Sequence, residues 1–251
     1  MENYFEKEFE LRYYDMSQSG EASPTTMLAL LEETAADHCH SIDYSLYDLE
    51  KQNIGWVLLS GFMEMDRYPV YKEKIIIRTW LSTYSLVKGI RENIIYDENR
   101  NVIGRAKGLW LFYDIKRRRP VQVFDTIIER WSVCEEESVI HDIIKKIKPF
   151  DFTVEAKEFE VFRFDVDTNK HVNNLRYLQW LLESVPEEII DNYYLHSIDG
   201  RFTGEAQLGE TVLSFTEKEE SAENTFVHLI KTKNRDVTCA LAKTIWKKRI
   251  K

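Results

Sequence analysis

The chain has 251 residues, of which 43% are hydrophobic and 31% charged, and its formal net charge is −9. This composition fits one large or two smaller globular domains, and the negative charge excludes a general nucleic-acid-binding protein, which needs a basic surface. The cysteines are widely spaced without a C-x-x-C motif, so we expect reduced thiols, no zinc site and a cytoplasmic protein: Cys39, Cys134 and Cys239. The acidic N-terminus lacks the apolar stretch of a signal peptide, and no apolar run approaches the roughly 18 residues of a membrane span.

The first half of the chain predicts a strand, a helix and then a run of strands. Phe5–Tyr14 mixes apolar and charged residues as a strand does. Ser23 followed by Pro24 is typical of an N-cap with proline in the first turn, and predicts a mostly buried helix from Pro24 to His40. Four strands follow, and the last two form a hairpin around Asp97–Asn101: Trp56–Met65, Lys74–Ser82, Gly89–Tyr96 and Val102–Tyr113.

After this run, a polar segment from Asp125 to Phe150 predicts a helical connector, and the pattern then restarts. Val154–Phe164 is a strand candidate, and Asn174–Val185 predicts a helix capped by Asn173 or Asn174. Four further strands are predicted, with a turn at Lys233–Asp236: Leu195–Thr203, Glu210–Glu219, Thr225–Lys233 and Val237–Trp246. We therefore expect two domains, residues 1–150 with the connector and residues 151–251.

The two halves form a weak internal repeat with a shift of 150 residues. The shift places Asp15 on Asp165 and Leu28 on Leu178. Each half reads as a strand, a polar loop, a buried helix and about four strands. The repeat therefore predicts the α+β class, with two antiparallel sheets each wrapped around a buried helix.

A stretch crowded with short polar side chains lies directly before the second helix. It includes Asp167, Asn169 and His171, where the first half has Ser17, Ser19 and Glu21. Such residues also serve simply to make a turn and cap a helix. A calcium loop is disfavoured, because Lys170 stands where glycine is needed and Arg176 where a bidentate glutamate is needed.

We expect neither a metal site nor a bound cofactor. His38 and His40 point to different faces of the first helix, so they do not form a metal pair. The chain has no phosphate-binding glycine loop, dinucleotide fingerprint or zinc-protease motif.

The polar stretch and several earlier motifs together resemble a known family. The run Asp167–Asn174, followed by Tyr177, Trp180, Glu183 and Pro186, resembles the signature of acyl-acyl-carrier-protein thioesterases, the FatA/FatB-like plant enzymes and their bacterial relatives. The first half agrees over nearly its whole length: Arg67-Tyr68-Pro69, Thr79-Trp80, Lys88 to Arg91, Arg105-Ala106, Leu109-Trp110 and Arg117 to Pro120.

The resemblance implies a tandem hotdog fold and hydrolysis of fatty acyl thioesters carried on acyl carrier protein (ACP), which ends chain elongation. The family's functional Asp, Asn and His fall on Asp167, Asn169 and His171, and its downstream glutamate falls on Glu205. Plant members have a cysteine after that glutamate, but this chain has Ala206. Direct attack by water is therefore favoured over a covalent cysteine intermediate.

Such a reaction needs a base for water and donors for the developing oxyanion. Glu205 or Asp167 is the candidate base, and Asn169 and His171 are candidates to orient the water or the carbonyl. We also expect unbonded N–H groups at the N-terminus of the second helix, where Asn173 and Asn174 are candidate substrate-binding residues.

The expected partner, acyl carrier protein, is acidic, so it would dock on a cationic surface. Cationic runs occur at Lys116–Arg119, Lys145–Lys148 and Lys247–Arg249, and Arg117, Arg118 and Arg119 are the candidate docking residues. Three alternative functions are retained: an acyl-CoA thioesterase, a hotdog dehydratase and a non-catalytic acyl-binding module. The acyl chain length, and the choice between monomer and homodimer, are left open.

Overall fold

The computed structural model describes residues 3–145, 147, 152–167 and 171–249. The chain divides into two compact units, Met1–Ile144 and Lys145–Lys251. Within the described ranges, no helix combines the length and the apolar character that crossing a membrane requires.

The first unit begins with strand β1 (Phe5–Glu10), a 3-10 turn at Tyr13–Asp15, and helices α1 (Pro24–Ser41) and α2 (Leu46–Lys51). The rest of the unit consists of β2 (Ile54–Met65), β3 (Lys74–Tyr84), β4 (Lys88–Asp97), β5 (Val102–Asp114), β6 (Arg119–Pro120) and helix α3 (Asp125–Trp131). The strands pair antiparallel in the order β1-β3-β4-β5-β2, with β6 on β5.

The second unit repeats this arrangement. Strand β7 (Lys157–Glu160) leads through a 3-10 turn at Arg163–Asp165 to helix α4 (Asn174–Leu182) and helix α5 (Glu187–Asn192). Four strands complete it: β8 (Tyr193–Phe202), β9 (Thr211–Lys218), β10 (Thr225–Thr232) and β11 (Thr238–Lys248). Their antiparallel order, β7-β9-β10-β11-β8, is the topology of the first unit.

Each sheet curves around its long helix. Helix α1 packs on β1 and β3, and α4 packs on β9, β10 and β11. The pairing register shifts by a residue in several strands, for example between Leu58 and Ser60 and between Ile245 and Trp246. Such bulges bend a strand and increase its twist, which lets a sheet wrap a helix. The predicted α+β architecture, with a buried helix in each antiparallel sheet, is confirmed.

The two long helices begin at the capping residues that the sequence offers. Ser23 Oγ accepts the N–H of Thr26 (3.0 Å), with Pro24 as the first helical residue, as predicted. Four of the five buried residues of α1 are spaced for one face of a helix, Met27, Leu31, Thr34 and His38, and the fifth is Cys39. The remainder of α1 is mostly half-buried, so the helix is enclosed less completely than its composition suggested.

The shift of 150 residues holds at the level of individual hydrogen bonds. The 3-10 turns at 13–15 and 163–165, and the starts of α1 and α4, are each 150 residues apart. Isolated bridges pair Met16 with Ala22 in the first unit and Val166 with Val172 in the second. The polar loops of the two halves are therefore equivalent in backbone structure as well as in sequence position.

The predicted helical connector is wrong beyond its first two turns. Helix α3 ends at Trp131, and Ser132 adopts a left-handed conformation (φ 51°) that terminates it. Residues 146 and 148–150 of the predicted helix lie outside the described residues. Before them, side chains of the sheet bond the connector's main chain, which prevents these groups from forming helical bonds: Trp80 with Glu136, Lys107 with Val139 and Glu92 with Ser138.

Helix α4 is three residues shorter than predicted. It ends at Leu182, and Ser184 Oγ donates to the carbonyl of Trp180 (2.9 Å). The proline at position 186 also disfavours helical geometry at Val185. Proline then starts the short helix α5, which, like α2, is too brief to give a helical periodicity in the sequence.

Two histidines are buried with their rings bonded to neutral or cationic partners. The His228 ring nitrogens lie 2.9 Å from Thr216 Oγ1 and 2.8 Å from Thr244 Oγ1. His38 Nδ1 lies 2.9 Å from the guanidinium of Arg91. Burial lowers the pKa of His228 to about 3, and burial together with the charge of Arg91 lowers the pKa of His38 to about 2. Both rings are therefore neutral in the folded protein near neutral pH.

We predict that the free energy of unfolding falls as the pH drops below 6.5, the ordinary pKa of histidine. Because both folded-state pKa values are depressed, this stability is complete above 6.5 and is lost progressively as the pH falls towards the folded values. At a pH of about 5.5 the loss should be about 1.4 kcal/mol for each histidine. Urea unfolding of the protein between roughly pH 5.5 and 7.5 measures it.

The matched variant is His228→Gln, which keeps hydrogen-bonding groups at this position but does not titrate. It should reduce the pH dependence in this range by about the share of one histidine. If the dependence in His228→Gln equals that of the parent protein, His228 does not contribute it.

Candidate active site

The polar loop before α4 is closed by hydrogen bonds between its ends. Asp167 N–H donates to the carbonyl of His171 (2.8 Å), and His171 N–H donates to Asp167 Oδ1 (3.1 Å). The Asp167 carboxylate thus fixes the backbone that carries His171. Asn169, at the centre of this loop, lies outside the described residues.

A second set of bonds fixes this loop to the start of α4. Asn173 N–H donates to the carbonyl of Asp165 (2.9 Å). The Asp165 carboxylate accepts the N–H of Phe162 (2.8 Å) and pairs with Arg176 Nε (3.2 Å). Asp165 therefore joins the end of β7, the polar loop and the first turn of the helix.

The N-terminus of α4 is capped internally. Asn173 Oδ1 accepts the N–H of Leu175 (2.8 Å), and Arg176 N–H donates to the carbonyl of Asn173. The expectation of unbonded N–H groups is therefore wrong for Asn173 and Leu175. Asn174 N–H makes no bond to any residue in the described ranges. Of the two predicted caps, Asn173 is the one used, and Asn174 is the first helical residue.

Glu205 lies in the loop that follows β8, and a glycine sets where this loop leaves the sheet. A Cβ on Gly204 would lie 2.4 Å from the carbonyl oxygen of Thr238 and 2.7 Å from Val237 Cγ1, so only glycine fits there. Thr203 N–H donates to the carbonyl of Cys239 (2.9 Å). The loop therefore leaves β8 in tight contact with β11, and Glu205 is the next residue.

The main chain around Glu205 is bonded on both sides. Ala206 N–H donates to the hydroxyl of Tyr177 (2.9 Å), a side chain of α4. Arg235 Nη2 donates to the carbonyl of Glu205 (2.8 Å), and the same guanidinium forms a bidentate pair with Glu210 (2.6 and 2.7 Å). These bonds position Glu205 relative to α4 without using its carboxylate.

The two loops bring His171 and Glu205 together. His171 Nε2 lies 3.7 Å from Glu205 Oε1, and both side chains are accessible to solvent. Carboxylates and imidazoles are the side chains used most often as general acids and bases. The structure thus brings together three of the four predicted catalytic residues: Asp167, His171 and Glu205.

The described environments of the cysteines do not favour a reactive thiolate. Cys239 and Cys39 are buried, and burial raises the pKa of both thiols, to about 11 for Cys239. Cys134 is half-buried. Ala206, where plant relatives have cysteine, is itself buried. A thiol must ionise to act as a nucleophile, so these environments do not activate one.

The first unit has the same loop without the acid–base pair. Ser17 N–H donates to the carbonyl of Glu21 (2.7 Å), as Asp167 does to His171. The loop around residue 205 also has an equivalent in the first unit. Leu11 exchanges backbone hydrogen bonds with residues 72 and 73, and Val161 exchanges the same two bonds with residues 209 and 210. On this register the equivalent of Glu205 is Tyr68, which is buried.

The remaining predicted residues lie in the first unit. Arg117, Arg118 and Arg119 are exposed around the turn before β6, where Arg117 N–H donates to Asp114 Oδ1 (2.7 Å). His38 is bonded to Arg91, whereas His40 is exposed. In the part of the chain that the structure describes, no three metal-ligating side chains cluster.

Four residues that position the pair were not assigned this role from the sequence: Asp165, Tyr177, Gly204 and Arg235. Tyr177 was part of the family resemblance, and the shift of 150 matches Asp165 to Asp15, whose carbonyl accepts the N–H of Ser23 (3.1 Å) in the same way. Arg235 lies in a predicted turn, where nothing in the sequence indicates a contact with Glu205.

Comparison with known proteins shows which family this chain is similar to. The family described as Acyl-ACP thioesterase N-terminal domain matches residues 2–131, and Acyl-ACP thioesterase C-terminal domain matches residues 151–248. Oleoyl-acyl carrier protein thioesterase 2, chloroplastic, of Arabidopsis thaliana is 26% identical over 98% of this chain and 77% of its own length.

Solved structures agree in fold. The 12:0-ACP thioesterase from Umbellularia californica superposes with a TM-score of 0.87 at 19% identity, over 99% of both chains. An acyl-ACP thioesterase from Bacteroides thetaiotaomicron superposes with a TM-score of 0.84 at 21% identity, over 98% of both chains. The tandem hotdog fold is confirmed, and the chain belongs to the acyl-ACP thioesterase family of thioester hydrolases.

Proposed function

We propose that this chain hydrolyses fatty acyl thioesters of ACP by direct attack of water, releasing the free fatty acid and ending elongation. The observation that carries the proposal is the 3.7 Å approach of His171 Nε2 to Glu205 Oε1 at the solvent-accessible end of a buried helix. Family membership and the curated acyl-ACP thioesterase relatives support the reaction class.

In this mechanism Glu205 is the general base. It takes a proton from water as the water oxygen attacks the thioester carbonyl carbon. The carbon–sulfur bond then breaks, and the departing phosphopantetheine thiolate takes the proton held by Glu205, which regenerates the base. Glu205 is preferred to Asp167, because the Asp167 carboxylate already accepts the N–H of His171. Asp167 is then a positioning residue, and His171 orients the water and the carboxylate.

The developing oxyanion needs hydrogen-bond donors. We assign this role to the side-chain amide of Asn169 and to Asn174 N–H at the positive end of the α4 dipole. Asn173 serves as the N-cap, so its proposed substrate contact would come from its remaining amide group. The buried helix offers an apolar surface beside this site, which suits a fatty chain.

A covalent cysteine route is disfavoured within the same proposal. With a pKa of about 11, Cys239 would be ionised in only about one molecule in 10⁴ at neutral pH. The three reduced cysteines also support a reducing compartment such as the cytoplasm.

We expect wild-type protein to release thiol faster from acyl-ACP than from acyl-CoA, across chains of about C6 to C18. The variants Glu205→Gln, His171→Ala and Asn169→Ala should each lower kcat by about 10²-fold or more, the usual cost of losing one such group. Steady-state hydrolysis with a thiol reagent measures both effects.

Glu205→Gln and His171→Ala should keep the thermal unfolding midpoint of the parent, because both side chains are accessible to solvent. The midpoint of Asn169→Ala is measured in the same way. Folded Glu205→Gln with full turnover would remove Glu205 from the mechanism. Faster wild-type turnover on acyl-CoA would reassign the carrier, and binding without turnover would favour a non-catalytic acyl-binding module.

Joint replacement of the cysteines, Cys39→Ala, Cys134→Ser and Cys239→Ala, should leave kcat within about threefold of wild type, because neither proposed proton transfer nor oxyanion binding uses a thiol. Circular dichroism checks that the triple variant is folded. Loss of hydrolysis in the folded variant would restore a thiol nucleophile.

Reversing the charge of Arg117, Arg118 and Arg119 to glutamate should raise KM for acyl-ACP about tenfold or more, while KM for a small acyl thioester stays unchanged. The physical reason is repulsion between the new acidic surface and an acidic carrier. The matched control is Lys247→Glu with Lys248→Glu, a second exposed cationic run. If the arginine and lysine reversals raise KM for acyl-ACP equally, the carrier does not dock specifically at the arginines. The same conclusion follows if the arginine reversal raises KM equally for acyl-ACP and for the small thioester.

A further inference from the structure

Three large apolar side chains are exposed next to the candidate active site. Phe162 is 61% exposed, Phe164 88% and Leu208 60%, although side chains of this kind are usually buried. Contiguous exposed apolar surface on a folded protein commonly marks an interaction site.

These side chains belong to two segments that are hydrogen-bonded to each other. Val161 N–H donates to the carbonyl of Glu210 (2.9 Å), and Gly209 N–H donates to the carbonyl of Val161 (2.9 Å). Phe162 and Leu208 are the immediate neighbours of these bonded residues. The two segments are therefore adjacent, and we name their exposed side chains the rim, which we define as Phe162, Arg163, Phe164 and Leu208.

The rim residues lie close in sequence to both members of the acid–base pair: Phe162 to Phe164 precede His171, and Leu208 follows Glu205. Leu208 lies three residues after Glu205, in the same short loop. Phe162 and Phe164 belong to the turn whose Asp165 carbonyl holds the start of α4, and the carbonyl of Phe164 accepts Arg176 Nη2 (3.3 Å). A partner that covers the rim therefore lies against the loops that carry His171 and Glu205.

The charges on the rim suit an acidic partner. Arg163 is exposed, and no described carboxylate pairs with it. Two of the carboxylates near the rim are already paired, Asp165 with Arg176 and Glu210 with Arg235. A third, Glu160, is exposed two residues before Phe162. The rim itself combines two phenylalanines and a leucine with one positive charge, and it contains no carboxylate.

We infer that the rim is a contact surface for the carrier protein when it delivers its thioester, a contact that is separate from the docking proposed for Arg117, Arg118 and Arg119. This inference rests on the proposed function, because a thioester held on a protein-bound arm must be presented beside the residues that cleave it. A partner surface that combines apolar and acidic side chains would fit the phenylalanines, the leucine and Arg163 of the rim.

The first unit supplies a matched control surface. At the positions equivalent to Phe164 and Leu208 it has Tyr14, 93% exposed, and Tyr71, 52% exposed. These tyrosines border a loop that has no acid–base pair. They should therefore contribute nothing to the delivery of a substrate, despite similar exposure.

The test compares two double variants. The rim variant carries Phe164→Ser and Leu208→Ser, and the tyrosine variant carries Tyr14→Ser and Tyr71→Ser. Turnover is measured on acyl-ACP and on the acyl thioester of N-acetylcysteamine, which carries no protein. The rim variant should raise KM for acyl-ACP at least about tenfold, in line with the loss of interface anchors, and leave both constants for the small thioester unchanged. The tyrosine variant should match wild type on both substrates.

Other outcomes overturn the inference. Equal losses on both substrates would make the rim part of the acyl site, and unchanged KM for acyl-ACP would place docking elsewhere. A dimer that dissociates in the rim variant without a change in KM would make the rim a contact between copies.

Failure of the proposed function is distinguishable from failure of this inference. If wild-type protein hydrolyses neither substrate, acyl-ACP binding is measured directly by calorimetry. Binding that the rim variant loses and the tyrosine variant keeps would support docking even though hydrolysis had failed. Binding that both variants keep would overturn docking.

Discussion

The hydrogen bond from Asn173 N–H to the carbonyl of Asp165 closes the chain between the first strand and the helix of the second unit, and the site depends on this closure. It fixes where the helix begins, and it forces the intervening residues into a short loop. The loop is closed in turn by Asp167 and His171. The same closure in the first unit, from Ser23 to Asp15, shows that it belongs to the repeated fold and not to the chemistry.

This closure explains the concentration of polar residues at the mouth of a buried helix. A tight loop leaves main-chain groups without helical or sheet partners, and short carboxylate and amide side chains satisfy them. Asp165, Asp167 and Asn173 all bond to backbone N–H groups. Much of the polar stretch therefore stabilises the loop, and the folded loop places His171 Nε2 3.7 Å from Glu205 Oε1.

The sequence predicted the repeat and the later strands of each half well, because each half has a strong local pattern and both halves keep the shift of 150 residues up to the helix. The first strand of each half was predicted too long: β1 ends at Glu10 and β7 spans only Lys157–Glu160, because a 3-10 turn follows each of them. The prediction failed at the connector, where the main chain bonds to side chains of the sheet, a tertiary contact that local composition does not encode. Glu205 came only from family resemblance, since it is 34 residues from His171 in the sequence. Its counterpart Tyr68 was not recognised, because the spacing between helix and loop differs between the halves.

The burial of Tyr68 has a consequence for how this duplicated protein can change. A carboxylate introduced at that position alone would be an unpaired charge in the interior of the first unit, and such a charge costs several kcal/mol. A histidine introduced at Glu21 alone would lack a counterpart of Glu205, because Tyr68 holds that position. A second acid–base pair therefore needs both substitutions, and either one made first gives a protein that is unstable or inert at this loop.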